Sequence, residues 1–147
     1  MPNYGELNLL LAALRSHDPS TAGFVFNMDY AVYEDESGVF SGDMCLVWLT
    51  AMGKLSPKQV WQAMTDQTDI FTQFANHFGL TMDQVESLLY PEFIWRVQDE
   101  DALKLSQIRA IDAAHTLERF IAALYRGQPA LASWEWYAQE VLHLPAL

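Results

Sequence analysis

The sequence predicts a mainly α-helical fold, an irregular bundle of six or seven helices with at most a small β-hairpin around residues 24–40. Three observations carry this prediction. Apolar residues recur at helical spacing along most of the chain, as at Leu7, Leu10, Leu11 and Leu14. Helix start and stop signals bracket these stretches, whereas a two-residue strand period shows clearly only in residues 24–33. Finally, 51% of the 147 residues are apolar and 13% aromatic, enough for residues 1–147 to form one domain around a single core without a disulfide or metal staple.

In chain order, the first helix runs from Asn3 to about Ser16. Asn3 is placed as its N-cap, Glu6 stands three residues on as in a capping box, and His17-Asp18-Pro19 ends it. Residues 24–33 alternate, and the acidic turn Glu34-Asp35-Glu36-Ser37-Gly38 leads to Val39-Phe40. A hairpin or an extended segment over the helices fits this pattern. Asp43 is placed to cap an almost wholly apolar helix through Cys45 and Trp48 to Met52, with Gly53 as its stop. A helix apolar on all sides belongs at the centre of a core.

Two start signals share one grammar: Leu55-Ser56-Pro57-Lys58-Gln59-Val60 and Leu80-Thr81-Met82-Asp83-Gln84-Val85. In each a Ser or Thr N-cap is followed by Gln at the third helical position, and Leu before the cap can staple to Val beyond it. Between them Phe71, Phe74, Ala75 and Phe78 form one face, closed by Gly79. Pro91 ends the 82–90 helix. The longest helix is expected from about Ser106 to Arg126, with its buried stripe at Ile108, Ile111, His115 or Ala114, Ile121, Leu124 and Tyr125, widened by Leu117 and Phe120. A last helix, Trp134 to about Leu142, would bury Trp134, Tyr137 and Val141.

The formal charge is −11, unevenly spread. Residues 17–53 hold six acids and no Lys or Arg, and Asp99-Glu100-Asp101 form a second acidic run. Such acidity repels nucleic acid and anionic membrane and favours a basic protein partner, while also serving the solubility of a very apolar chain. Cys45 is the single cysteine, so no intrachain disulfide can form. With no signal-peptide pattern and no apolar run near the ~20 residues of a membrane span, a cytoplasmic protein is expected.

Few patterns carry chemistry. Ala75, Gly79 and Val85 have the spacing of a helix-turn-helix, but the second helix holds Asp83 and Glu86 and no Lys or Arg. As a DNA-reading helix it would meet like charge. Cys45 lies among Met44, Leu46, Val47 and Trp48, the setting of an inert buried thiol. Asp112 and His115 have ligand spacing on one helix, yet a carboxylate-bridged metal site in a bundle needs a second such motif. Nucleotide-binding, nucleophile-elbow, EF-hand and zincin patterns are absent from the sequence. No catalytic residue, metal ligand or cofactor is therefore nominated. Trp134-Glu135-Trp136-Tyr137 cannot all face inward on one helix, which makes Trp136 a candidate contact residue.

Phe26-Asn27-Met28, Cys45 within Met44–Trp48, Gly79-Leu80 through Leu88-Leu89, and Ser133-Trp134 after the long helix occur in an order that resembles a small group of bacterial and phage proteins of uncharacterised function. The group's C-G-T-x-x-C-x-A-G core is degenerate here: only Cys45 is left, and Gly42-Asp43 do not reproduce the rest. The resemblance implies a small helical accessory protein from a phage or mobile element, and it brings no activity.

These readings lead to a non-enzymatic interaction or accessory protein, its acidic face formed by Glu34, Asp35, Glu36, Asp99, Glu100 and Asp101 with Trp136 as an aromatic contact. Self-association through exposed aromatics is compatible with it. The alternatives are a helix-turn-helix-like regulator using residues 71–90, or a small metal-binding or enzymatic helical protein around Asp112 and His115.

Overall fold

The computed structural model describes residues 1–65, 69–96 and 105–145. It is mainly α-helical, with a small three-stranded sheet. The acidic run Asp99-Glu100-Asp101 lies outside the described residues.

Helix α1 (Tyr4–Arg15) buries Leu7, Leu10, Leu11 and Leu14, as its spacing predicts. Its capping box is only half made. The Asn3 side-chain oxygen accepts from the Glu6 N–H at 3.4 Å, but the Asn3 N–H donates to the Phe78 carbonyl at 2.8 Å. The Glu6 carboxylate is thereby free to meet the His77 ring, 3.1 Å away. After the short α2 (Pro19–Ala22), capped by Asp18, the alternating stretch does not form one strand. It holds β1 (Val25–Phe26) and β2 (Tyr33–Glu34), both pairing with β3 (Phe40–Gly42), parallel and antiparallel respectively. The expected hairpin is β2–β3, and the first strand adds to its far side.

Asp43 caps α3 (Met44–Val47), which widens at once into a π-turn over Trp48–Met52. Every residue from Gly42 to Trp48 is buried. Gly53 ends this segment for a reason other than the expected one. Its φ is −81°, and Lys54 takes the left-handed conformation at 58°. What Gly53 supplies is room, since a Cβ there would stand 2.7 Å from the Leu49 carbonyl oxygen.

The two repeated start signals behave alike. In α4 (Pro57–Thr65) and α6 (Met82–Leu89), Ser56 with Gln59 and Thr81 with Gln84 form reciprocal capping boxes at 2.8–3.2 Å. Between them α5 (Ile70–Phe78) ends at Gly79, left-handed with φ of 68°. Trp48, Phe74 and Phe78 form an aromatic centre with rings 4.5–5.6 Å apart, in the tilted and edge-on arrangements that aromatic pairs favour.

The longest helix, α7 (Ala110–Tyr125), starts later than Ser106. The Asp112 carboxylate accepts from the Arg109 N–H at 2.9 Å and from its guanidinium at 3.1 Å, and Arg109 is held extended. The helix can begin only after it. Most of the expected stripe is buried, namely Ala114, Leu117, Phe120, Ile121 and Leu124, with Ile108 just before the helix. Ala113, Leu117, Phe120 and Leu124 face the core, while Ile111 and Tyr125 are 51% and 64% exposed. Helix α1 packs along α7, and Tyr125 stacks on Tyr4 at 4.0 Å. The last helix is shorter than expected, α8 (Glu135–Glu140). It follows a buried Trp134, and Val141 is exposed rather than buried.

Candidate functional site

The β2–β3 hairpin carries Glu34, Asp35 and Glu36, and the three differ in role. Asp35 builds the turn, its Oδ1 accepting from the N–H groups of Ser37 and Val39 at 2.8 and 2.9 Å. Glu36 is exposed and Glu34, at the end of β2, is half-buried. Beside them stands a cluster that composition alone did not locate. Tyr30 stacks on Tyr33 at 4.7 Å, and Tyr33 meets the edge of Trp61 at 6.1 Å. Tyr30 and Tyr33 are 45% and 39% exposed, and Val39 on the same hairpin is 48% exposed. Chain spacing separates Trp61 from the tyrosines, so only folding reveals the group.

Trp136 is half-buried against α7. Its indole N–H donates to the Thr116 hydroxyl at 2.8 Å, His115 packs on it at 4.2 Å, and the Arg119 guanidinium lies 5.7 Å from the ring centre. Arg119 Nε also donates to His115 Nε2 at 3.0 Å. The two residues with ligand spacing therefore have separate partners, Asp112 with Arg109 and His115 with Arg119 and Trp136. Among the described residues no three of His, Cys, Asp or Glu converge as a metal site would require.

The helix pair α5–α6 buries Ala75 and Val85, as its spacing predicts. A Cβ on Gly79 would come within 2.3 Å of the Met1 carbonyl oxygen, so this turn seats the start of the chain. On α6, the exposed side chains are Met82, Asp83 and Glu86, none of them basic. Its Gln84 donates to the Pro129 carbonyl at 3.2 Å and its Ser87 hydroxyl lies 3.2 Å from that of Ser133, so the loop before α8 covers one flank.

That loop helps enclose a cavity of about 490 Å3 between α6, the 3-10 turn Glu92–Arg96 and the start of α8. Phe71, Tyr90, Phe93 and Trp134 give it aromatic walls. Trp134 is fixed by its indole N–H, which donates to the Leu88 carbonyl at 2.8 Å, and Phe93 is stacked on Tyr137 at 5.5 Å. Glu86, Glu92 and Glu135 are also among the described residues that line it. A second cleft, about 520 Å3, lies where α1, α2, the π-turn and α4 meet, with His17, Asp18 and Lys54 among its walls. Burial lowers the His17 pKa, opposed by Asp18 and by a hydrogen bond to the Phe24 backbone, and its Nε2 is buried without a hydrogen-bond partner.

Below the hairpin sits a buried acid. Asp43 is only 3% exposed, and its Oδ1 accepts from the Cys45 N–H at 2.8 Å. Burial raises its pKa to about 7 against the pull of these Cys45 hydrogen bonds. Burial, with Asp43 as neighbour, pushes the Cys45 thiol well above its ordinary value, which leaves it un-ionised and unreactive. The sequence identifies Asp43 as the cap of a central helix, and the fold buries it.

No described helix is long and apolar enough to cross a membrane. Compared with protein families, curated proteins and solved structures, the chain matches none.

Proposed function

We propose that this protein is a non-enzymatic accessory protein that docks a basic partner protein through the face of its β2–β3 hairpin. The observation that supports this reading is the exposed Tyr30–Tyr33 stack, backed by Trp61 and set beside Glu34 and Glu36. Tyrosine and tryptophan bury much area at little entropic cost and dominate interface energies. Flanking charges steer encounter and select the sign of the partner.

Asp35 belongs to the turn rather than to the contact, so reversing it would unfold the hairpin locally instead of testing docking. The informative variants are Glu34→Lys with Glu36→Lys, and Tyr33→Ala. The wild-type chain, immobilised and exposed to nuclease-treated host lysate, retains a basic protein that moderate salt releases. The charge-reversed variant loses it while keeping the wild-type melting temperature. Retention of the same protein with unchanged affinity and salt dependence by the charge-reversed variant refutes the reading.

A further inference from the structure

We infer that the cleft where α1, α2, the π-turn and α4 meet binds a small zwitterion of the amino-acid class that carries a compact apolar side chain. None of the described residues lining it belongs to the hairpin face, and the inference does not depend on the docking reading.

The cleft encloses about 520 Å3, within the range of about 300–1,000 Å3 typical of small-molecule pockets. Phe24, Val47 and Leu55 give it an apolar wall. Three wall hydroxyls are already spent, since Ser16, Thr21 and Thr50 donate to the carbonyls of Ala12, Asp18 and Leu46 at 2.9, 3.2 and 2.7 Å. Recognition therefore falls to the charged wall residues. Burial lowers the His17 pKa, which leaves that ring uncharged at neutral pH. Hydrogen bonds from the Ser20 hydroxyl and N–H lower the Asp18 pKa, so that carboxylate is ionised. Both bonds fall on Oδ1, at 2.8 and 3.0 Å, and Oδ2 has no donor among the described residues. Asp18 and Lys54 share the cleft without forming an ion pair, and neither has another ion-pair partner among the described residues. A simple anion or cation leaves one of these charges unmatched, and a neutral apolar molecule leaves both. An apolar amino acid uses the whole cleft, with its carboxylate at Lys54, its ammonium at Asp18 and its side chain on the apolar wall.

The backbone that presents Lys54 is unusual in two ways. Trp48–Met52 forms a π-turn, closed by the Gly53 N–H donating to the Trp48 carbonyl at 3.1 Å, and single π-turns occur frequently at functional sites. The chain leaves this turn through Lys54, left-handed with φ of 58°, and the Leu55 N–H then donates to the Leu49 carbonyl at 3.0 Å. Glycine takes the left-handed conformation without strain and lysine does not. Yet the glycine here stands one residue earlier, at φ of −81°. The strained position thus carries a lysine at a cost in stability, the pattern expected where its side chain serves binding.

The test is an NMR titration of the full-length, isotope-labelled protein with leucine, valine and methionine. Leucinamide, N-acetyl-leucine and glycine are run beside them, lacking in turn the carboxylate, the ammonium and the apolar side chain. Saturable shifts are expected at the His17 ring and at the amides of Ala51, Lys54 and Leu55. The best of the three amino acids should bind about fivefold or more tighter than each analogue, the scale of one charge pair at a solvated rim. Lys54→Gly relieves the left-handed strain, so it should melt no lower than wild type while weakening the amino acid but not leucinamide. Asp18→Asn keeps the oxygen that caps α2, and it should weaken the amino acid but not N-acetyl-leucine. An analogue that binds as tightly as the amino acid overturns the inference, as do shifts mapping elsewhere or failure of all three amino acids to saturate. Unchanged amino-acid affinity in the folded Lys54→Gly variant overturns it too, and leaves Lys54 as a turn residue only.

Discussion

Replacing Asp43 by Asn converts its burial into a measurable dependence of stability on pH. In the fold the carboxyl titrates near 7, against an ordinary value of 3.8, because burial penalises its charged form more than the Cys45 hydrogen bonds favour it. Below a pH of about 4 both folded and unfolded chains hold the proton, so the group costs nothing. Between about 4 and 7 the unfolded chain releases its proton while the folded chain keeps it, and stability falls as pH rises. Above about 7 the loss is complete. A gap of about three units, at ~1.36 kcal/mol each, amounts to about 4 kcal/mol.

Asn cannot ionise, yet it retains an oxygen for the Cys45 N–H. Its amide protons add a cost that does not vary with pH, so the informative quantity is the difference between the two proteins. The stability of the Asn variant minus that of wild type is expected to rise by about 3–4 kcal/mol between pH 4 and 8. Other carboxylates in this acidic chain contribute to both proteins and cancel. Equilibrium urea unfolding, followed by tryptophan fluorescence at closely spaced pH values, gives the two curves. A difference that stays constant within about 1 kcal/mol would show that Asp43 is ionised in the fold, and the burial argument would fail.

Two further outcomes follow from packing and backbone geometry. Phe74→Ala removes the ring between Trp48 and Phe78 and is expected to cost about 3–5 kcal/mol in urea unfolding, with loss of near-UV circular dichroism from the altered tryptophan. Gly38→Ala and Gly79→Ala both force alanine into positive φ, for about 1–2 kcal/mol, but they differ in surroundings. Gly38 faces open space, whereas a Cβ on Gly79 meets the Met1 carbonyl oxygen. Gly79→Ala should therefore be clearly the more destabilising in the same assay, and equal losses would refute the close approach.

The signals that read correctly from sequence were local. The capping boxes at Ser56–Gln59 and Thr81–Gln84, the buried leucines of α1 and the cap at Asp43 depend on residues within one or two turns of each other. Their physics is contained in the segment that displays them. On α7 the periodicity identifies most of the buried face, but Ile111 and Tyr125, apolar enough to join the stripe, lie outside it. Which apolar residues are buried depends on where α1 lies against α7. At the end of the chain Trp134 and Tyr137 are buried as expected, while Val141, just past α8, is exposed.

The candidate sites divide along the same line. Glu34 and Glu36 were legible as charge, but the three-ring cluster beside them exists only because α4 brings Trp61 to the hairpin. The cavity draws Glu86, Glu92 and Glu135 from three elements, and no spacing in the chain announces them. By itself the sequence determined helical class, helix starts, the apolar excess that drives collapse and the net negative charge. These follow from backbone hydrogen bonding, side-chain periodicity and net charge, all short-range or additive quantities. Tertiary structure alone decided which aromatics remain exposed, which acids are buried and which residues line the cavity, because burial and proximity belong to pairs of segments far apart in the chain.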